Sequence, residues 1–316
     1  MKFGQILVWG ISEGDLEPAQ WQKLSSMAGL IVKLPKDSKD ASGYLPSTDC
    51  LLINQGMAAD RQAIDSAPNL KYIGILATGY GRIDAGYAAS KGIVVCNVAG
   101  YSTESVAEFA FAVLLEHIRE IGRAKAEAKG GNYSEAGFAA SEIRRKKFGI
   151  IGAGRIGARI AGIAKNGFAA DVCYWSRKRK PDLESMGINY SDLDTLLAES
   201  DMLSINLSLT PETNGLLSAE KIRLMKKGAI LLNLAPMELI DSEGLEGRLR
   251  ANDLTFIMDH SDEIPKEAAQ KLSSYPNCIL YPPIGFITNE ASAVKREILI
   301  ANLENFLAGR PTNRVN

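Results

Sequence analysis

Residues 148–157 read Phe148-Gly-Ile-Ile-Gly-Ala-Gly-Arg-Ile-Gly157, an apolar run that passes directly into a glycine-punctuated helix start. Each glycine has a separate physical task in a dinucleotide-binding βαβ unit. Gly152 permits the tight turn, Gly154 lets the backbone approach a pyrophosphate, and Gly157 lets helix and strand pack closely. The stretch that follows, Arg155 to Lys165, is a helix whose free N–H groups and positive dipole end face that phosphate. A second strand, Ala170 to Trp175, arrives at the spacing such a unit requires. A glycine-rich turn without a ligand is the plain alternative, and the flanking strand and helix argue against it.

The chain has 316 residues, 46 % of them hydrophobic, enough for a large core and two domains. A formal net charge of −1 offers no field to draw it to nucleic acid or a membrane surface. Cys50, Cys96, Cys173 and Cys278 are scattered without paired spacing and read as reduced core residues, not as bridges or metal ligands. No apolar stretch approaches the ~20 residues that span a bilayer. Polar residues from Ser12 to Asp15 end a signal-peptide reading. A cytoplasmic protein is expected.

The first hundred residues alternate short apolar strands (5–9, 29–33, 50–53, 72–76 and 93–96) with helices at 17–27, 61–67 and 85–91. That pattern predicts a flavodoxin-like layer sandwich of parallel strands. One long helix is predicted to begin near Ser102-Thr103-Glu104-Ser105, with Ser105 and Glu108 as a capping box, and to end at Gly130-Gly131. Residues 132–144 read as a loop. Beyond the nucleotide unit, strands are expected at 202–206, 229–234, 255–259 and 278–281, helices at 191–199, 218–225 and 242–251, and a tail helix at 289–307. The fold class is therefore α/β, a flavodoxin-like layer sandwich together with a Rossmann doubly wound dinucleotide unit.

Four ordered motifs now make a resemblance visible along nearly the whole chain. Ala77-Thr-Gly-Tyr-Gly-Arg-Ile-Asp84, Asn97-Val-Ala-Gly-Tyr-Ser-Thr-Glu-Ser-Val-Ala-Glu108, the glycine turn, and Leu209-Thr-Pro-Glu-Thr-Asn-Gly-Leu216 resemble the D-isomer-specific 2-hydroxyacid dehydrogenases. The nearest branch is that of the glycerate dehydrogenases and hydroxypyruvate reductases. The endings Pro276-Asn-Cys-Ile-Leu-Tyr-Pro282 and Phe306-Leu-Ala-Gly-Arg-Pro311 are similar to the same family. The resemblance implies a substrate domain of residues 1–99 and 285–316, a coenzyme domain of 100–284, and a small-molecule substrate meeting the nicotinamide in the cleft between them. It also implies a homodimer joined through the coenzyme domain along the long helix, for which ordinary core packing is the alternative. Backbone N–H groups of Thr78 and Gly79 would bind a substrate carboxylate. Arg155 and Ile156 would offer N–H groups to the cofactor, and Thr103, Leu207, Thr213, Ala235 and Asp259 would lie beside it. Asp259 falls near the carboxamide in this reading, and is otherwise a capping or surface acid.

The end of the second strand bears on which dinucleotide binds. An NAD site carries an acid there for the ribose 2′-OH, whereas an NADP site favours arginine. This chain reads Ser176-Arg177-Lys178-Arg179. Ser176 removes the repulsion a 2′-phosphate would meet, Arg177 offers a charge-assisted fork, and Lys178 or Arg179 adds positive field. NADP(H) is expected over NAD(H), with a merely solvated basic face as the alternative.

The family's catalytic groups are missing. Its Arg position holds Pro236, its Glu position Ile264 and its His position Pro283. Loss of a general acid alone costs a factor of about 10² to 10⁴. Glu263, one place earlier, and His260, after Asp259, are the candidate replacements, with a structural role as the alternative for each. His117 reads as a surface or interface residue, Tyr281 as strand core, and Arg82 as a remote source of a lost cation. The segment before the nucleotide unit is short for the family, so an altered substrate pocket is expected. Two functions follow: an NADP(H)-dependent oxidoreductase with remodelled substrate chemistry, or a catalytically silent NADP(H)-binding sensor or partner-binding protein.

Overall fold

The structure, a computed structural model, describes residues 2–38 and 40–316. The chain divides into two compact units, Met1–Ser102 with Thr288–Asn316, and Thr103–Ile287, a few residues beyond the expected boundaries.

The first unit is built on β1 (Phe3–Trp9), α1 (Pro18–Met27), β2 (Ala28–Leu34), α2 (Ala41–Tyr44), β3 (Cys50–Ile53), α3 (Arg61–Asp65), β4 (Tyr72–Ile75), α4 (Ala85–Ser90) and β5 (Val94–Cys96). The strands pair in parallel in the order β2-β1-β3-β4-β5, the flavodoxin-like order. β3 and β4 are buried at every position, which is why they read as unbroken apolar runs. Asp60 and Asp84 accept hydrogen bonds from Ala63 N and Tyr87 N and so set the starts of α3 and α4. The C-terminal helix, Asn289–Leu307, closes one face, with Phe306 stacked on Phe3 at 5.7 Å and 4.9 Å from Tyr72.

The second unit runs α5 (Thr103–Ile118), α6 (Ile121–Lys129), β6 (Lys147–Ile151), α7 (Arg155–Phe168), β7 (Asp171–Trp175), α8 (Pro181–Ser185), β8 (Asn189–Tyr190), α9 (Leu193–Glu199), β9 (Met202–Ile205), α10 (Ala219–Leu224), β10 (Ala229–Asn233), α11 (Ser242–Arg250), β11 (Leu254–Met258), α12 (Lys266–Ser273) and β12 (Cys278–Leu280). Its seven parallel strands follow the order β12-β11-β10-β9-β6-β7-β8. The chain starts at β6, builds outward to β8, then returns to β9 on the other side. The strand order therefore reverses between β6 and β9, the kind of point at which open α/β sheets take ligands. Alternate residues serve two cores: Phe148, Ile150, Ile230 and Leu232 pack with α5 and α7, whereas Ile151, Leu203, Ile205 and Leu231 pack with α9 to α11.

Two expectations need correction. The long helix is broken: α5 ends at Ile118, and Glu120 turns left-handed at φ 50° before α6 begins. The returning loop is the cause, because Ser141 N donates to Ile118 O and Ala139 N to the Glu120 carboxylate. α5 also opens at Thr103, so Ser105 is buried inside its first turn and does not act as the N-cap. The short α2, α8 and α12 were not foreseen. Among the described residues no helix is long and apolar enough to cross a membrane.

Candidate dinucleotide site

The turn between β6 and α7 has the geometry its glycines imply. Gly152 stands at φ 95°, and a Cβ there would come 2.7 Å from Leu207 Cδ2 and 2.8 Å from Asn206 O. Both neighbours follow β9, so the turn and the end of β9 meet where the strand order reverses. A Cβ on Gly157 would lie 2.0 Å from Gly152 O. Gly154 differs: an added Cβ would meet nothing within 4 Å. Nothing in the protein's own packing requires glycine at that position. Gly154 precedes α7 without a side-chain cap, so the N–H groups of Arg155 and Ile156 remain available as donors to an anion. The Ile156 side chain packs on the core, which leaves only its backbone to face a ligand.

At the end of β7, the buried Ser176 donates its hydroxyl to Lys178 O at 2.5 Å and so shapes the basic loop. Arg177 and Lys178 are exposed. Arg179, also exposed, is already paired. Its guanidinium makes two 2.9 Å bonds to Glu184 and lies 5.3 Å over the Tyr190 ring, so it is engaged within the protein. No acid occupies the Ser176 position.

Leu207 Cδ2 lies beside Gly152, at the turn. Thr213 is buried; its hydroxyl accepts from Thr210 N and donates to Ser208 O, so its role here is to hold the loop after β9. Ala235 is buried, and its N–H donates to Asn233 Oδ1 at 3.2 Å. Thr103 opens α5.

Asp259, at the end of β11, is 1 % exposed, which removes the surface-acid alternative. Its Oδ1 accepts from Ile284 N at 3.3 Å, and a Cβ on Gly285 would come 2.7 Å from Oδ2. Burial pushes its carboxyl above the usual range, with the neighbouring His260 pulling the other way. His260 adopts φ 65°, a left-handed conformation that is strained for a side chain of this size. Its imidazole places Nε2 3.6 Å from Asp259 Oδ2 and Nδ1 3.7 Å from Glu263 Oε1, and it stacks on Phe286 at 6.0 Å. The fold thus brings together the two candidate replacements, His260 and Glu263. Phe286 was missed, because nothing local in the sequence ties it to a residue 26 positions earlier. Pro236 leads into a 3-10 turn, Met237–Leu239, and Ile264 packs on the second core; neither can carry a charge or a proton. Pro283 is partly exposed and equally inert.

His117 is half-buried, and burial lowers its basicity. Tyr281 donates to Glu116 and meets Phe109 edge-on at 5.7 Å, which makes it part of the α5 packing.

In the first unit, Thr78 and Gly79 lie just beyond β4, and among the described residues their N–H groups have no acceptor. Asn97, buried and not foreseen, holds this loop: its Nδ2 donates to Thr78 O at 2.7 Å and its own carbonyl accepts from Asn302 at 2.9 Å. Arg82 donates to Gly56 O at 3.0 Å.

A family model described as D-isomer specific 2-hydroxyacid dehydrogenase, NAD binding domain, matches residues 111–285. A hydroxypyruvate reductase from Blautia hydrogenotrophica is 31 % identical over 316 residues, covering 97 % of each chain. A glyoxylate reductase from Thermococcus litoralis is 37 % identical over 267 residues, 81 % of this chain and 80 % of its own. Among solved structures, an acyclic imino acid reductase in complex with NADPH and D-Arg aligns with a TM-score of 0.86 at 28 % identity, covering 98 % of this chain and 100 % of that one. A D-lactate dehydrogenase from Aquifex aeolicus, complexed with NAD and lactic acid, aligns with a TM-score of 0.83 at 25 % identity, covering 96 % of each.

Proposed function

The chain belongs to the D-isomer specific 2-hydroxyacid dehydrogenase family, and within it we propose an NADP(H)-dependent oxidoreductase that reduces the imine of a small 2-amino acid in preference to a 2-oxo acid. One observation carries this reading. Pro236, Pro283 and Ile264 stand where, by the resemblance, the family would supply a cation, a proton donor and its supporting carboxylate, and none of the three side chains can carry charge or a proton.

NADPH, when bound, supplies the hydride. Adding two electrons to a ketone builds negative charge on oxygen, which needs a proton or a cation beside it. A protonated imine brings its own positive charge, and the same addition leaves a neutral amine. No side chain has to deliver a proton during that step. The likeness to the acyclic imino acid reductase supports the same chemistry.

In this reading, the open space at Gly154 and the N–H groups of Arg155 and Ile156 hold the pyrophosphate. Arg177 and Lys178 take a 2′-phosphate, for which Ser176 clears the way. Asp259 lies near the carboxamide, and Thr78 and Gly79 donate to the substrate carboxylate. A homodimer belongs to the reading as well. α6 buries none of its residues and leaves Ile121 45 % exposed, which makes it the proposed contact. Sedimentation as a monomer at micromolar concentration would remove that part.

A second reading has its own observation, the His260 imidazole set between Asp259 and Glu263. That cluster could return a proton donor for a 2-oxo acid. NADPH oxidation with glyoxylate, hydroxypyruvate and pyruvate, each with and without ammonia, separates the two. Turnover that requires ammonia and yields the amino acid supports imine reduction. Rapid turnover without ammonia supports the second reading. Tight NADPH binding with no turnover on any substrate means a silent binding protein.

A further inference from the structure

The C-terminal helix fixes where its residues lie along the five-stranded sheet. Phe306 packs on Phe3 and Tyr72, the first residues of β1 and β4. Lys295 lies eleven residues earlier, about 16 Å along the axis. A four-residue strand such as β4 spans about 13 Å, so Lys295 stands past the carboxyl ends of the central strands. Its neighbour confirms the position: Nζ lies 5.6 Å from the ring of Tyr101, which follows the end of β5. Asn302, two turns further along the same helix face, bonds Asn97 O, and Asn97 in turn holds Thr78 O. One helix face thus carries both Lys295 and the anchor of the Thr78–Gly79 loop. The carboxyl edge is also where ligands enter open α/β sheets.

Lys295 is poorly provided for. It is half-buried, and among the described residues it has no carboxylate partner. Burial pulls its amine below the usual lysine range, Arg296 pushes the same way, and Asp15 opposes them. The adjacent Arg296 pairs with Glu17 at 3.2 Å, yet its buried Nε has no partner. Surface lysines avoid such surroundings, because a desolvated cation is costly until an anion meets it.

We propose that Lys295 is the cation of an anion-recognition site at the carboxyl edge of the five-stranded sheet, and that it takes the carboxylate of a small imino, oxo or amino acid. Tyr101 orients the ammonium, and the free N–H groups of Thr78 and Gly79 lie on the same edge. The proposal rests on the function above only for the choice of acid.

The test compares the NADPH-loaded wild type with Lys295→Met and Lys295→Arg. Pyruvate, glyoxylate, D-alanine and D-arginine are each titrated by calorimetry beside the corresponding amide. The wild type is expected to favour at least one carboxylate over its amide by about tenfold or more, as a charge-assisted hydrogen bond allows. Lys295→Met abolishes that preference and Lys295→Arg keeps it, with NADPH affinity unchanged in both as the check on folding. A preference that survives in Lys295→Met, or no preference for any carboxylate in the wild type, overturns the proposal. Ammonia-dependent turnover with an unchanged KM in Lys295→Met would sink this site and leave the imine chemistry standing. A Lys295-dependent carboxylate preference without imine turnover would do the reverse.

Discussion

A Cβ built on Gly157 would sit 2.0 Å from the carbonyl oxygen of Gly152. The clash is with backbone, so no side-chain rotation relieves it, and helix α7 would have to lift away from β6. Gly157→Ala is expected to destabilise the protein by about 3 kcal/mol or more, at the upper end of overpacking costs. Gly154→Ala meets no protein atom and should unfold at the wild-type denaturant midpoint while losing NADPH affinity. Urea titrations with and without NADPH separate the two variants. Equal loss of stability in both would contradict the assignment of Gly154 to the ligand.

The basic loop after β7 makes a second prediction. Ser176→Asp combined with Arg177→Ala should weaken NADPH by about tenfold to a hundredfold, the worth of a lost charge-assisted bond plus a repulsive carboxylate, and leave NADH little changed. Arg179→Ala should leave the cofactor preference intact, since its guanidinium is bound to Glu184. Fluorescence titration with both cofactors measures this. If Arg179→Ala erases the preference instead, the Glu184 pair opens on binding.

His260 discriminates the chemistry. If the substrate arrives as a protonated imine, His260→Asn and Glu263→Gln should each lower kcat less than tenfold. A working proton relay would instead cost about 10² to 10⁴. Steady-state rates on the same imine decide, and a pH profile that loses one limb in His260→Asn would favour the relay.

Glu246 governs part of the acid response. Its carboxylate accepts from Lys271 at 2.6 Å, from Tyr275 at 2.9 Å and from Arg250 at 2.8 Å. The Lys271 bond foremost, then Tyr275 and Arg250, draw its pKa from 4.5 down to about 2. An acid depressed in the folded state adds stability above its unfolded pKa and surrenders it as pH falls through the folded one. Glu246→Gln should therefore be less stable than wild type at neutral pH, and the gap should close between about pH 4.5 and 2. Urea midpoints across that range provide the check.

Much of this was legible in the chain because it is written locally. Parallel strands buried on both faces read as continuous apolar runs, and the glycine spacing at 152, 154 and 157 encodes a turn within a few residues. The break at Glu120 was not legible. Helix propensity continues across it, and the helix yields only because residues 139–141 return to take its last carbonyl and the Glu120 side chain.

Sequence alone therefore determined the two α/β sheets and the glycine turn between β6 and α7, since each depends on periodicity or on residue type. Tertiary structure decided which polar groups are committed and which are free. Arg179 is taken by Glu184, Thr213 by its own loop, and His260 is placed between two carboxylates under Phe286. Lys295 is held half-buried beside Tyr101, nearly two hundred positions away in the chain. Hydrogen bonding and desolvation depend on what arrives from distant segments, and no local pattern of residues records those arrivals.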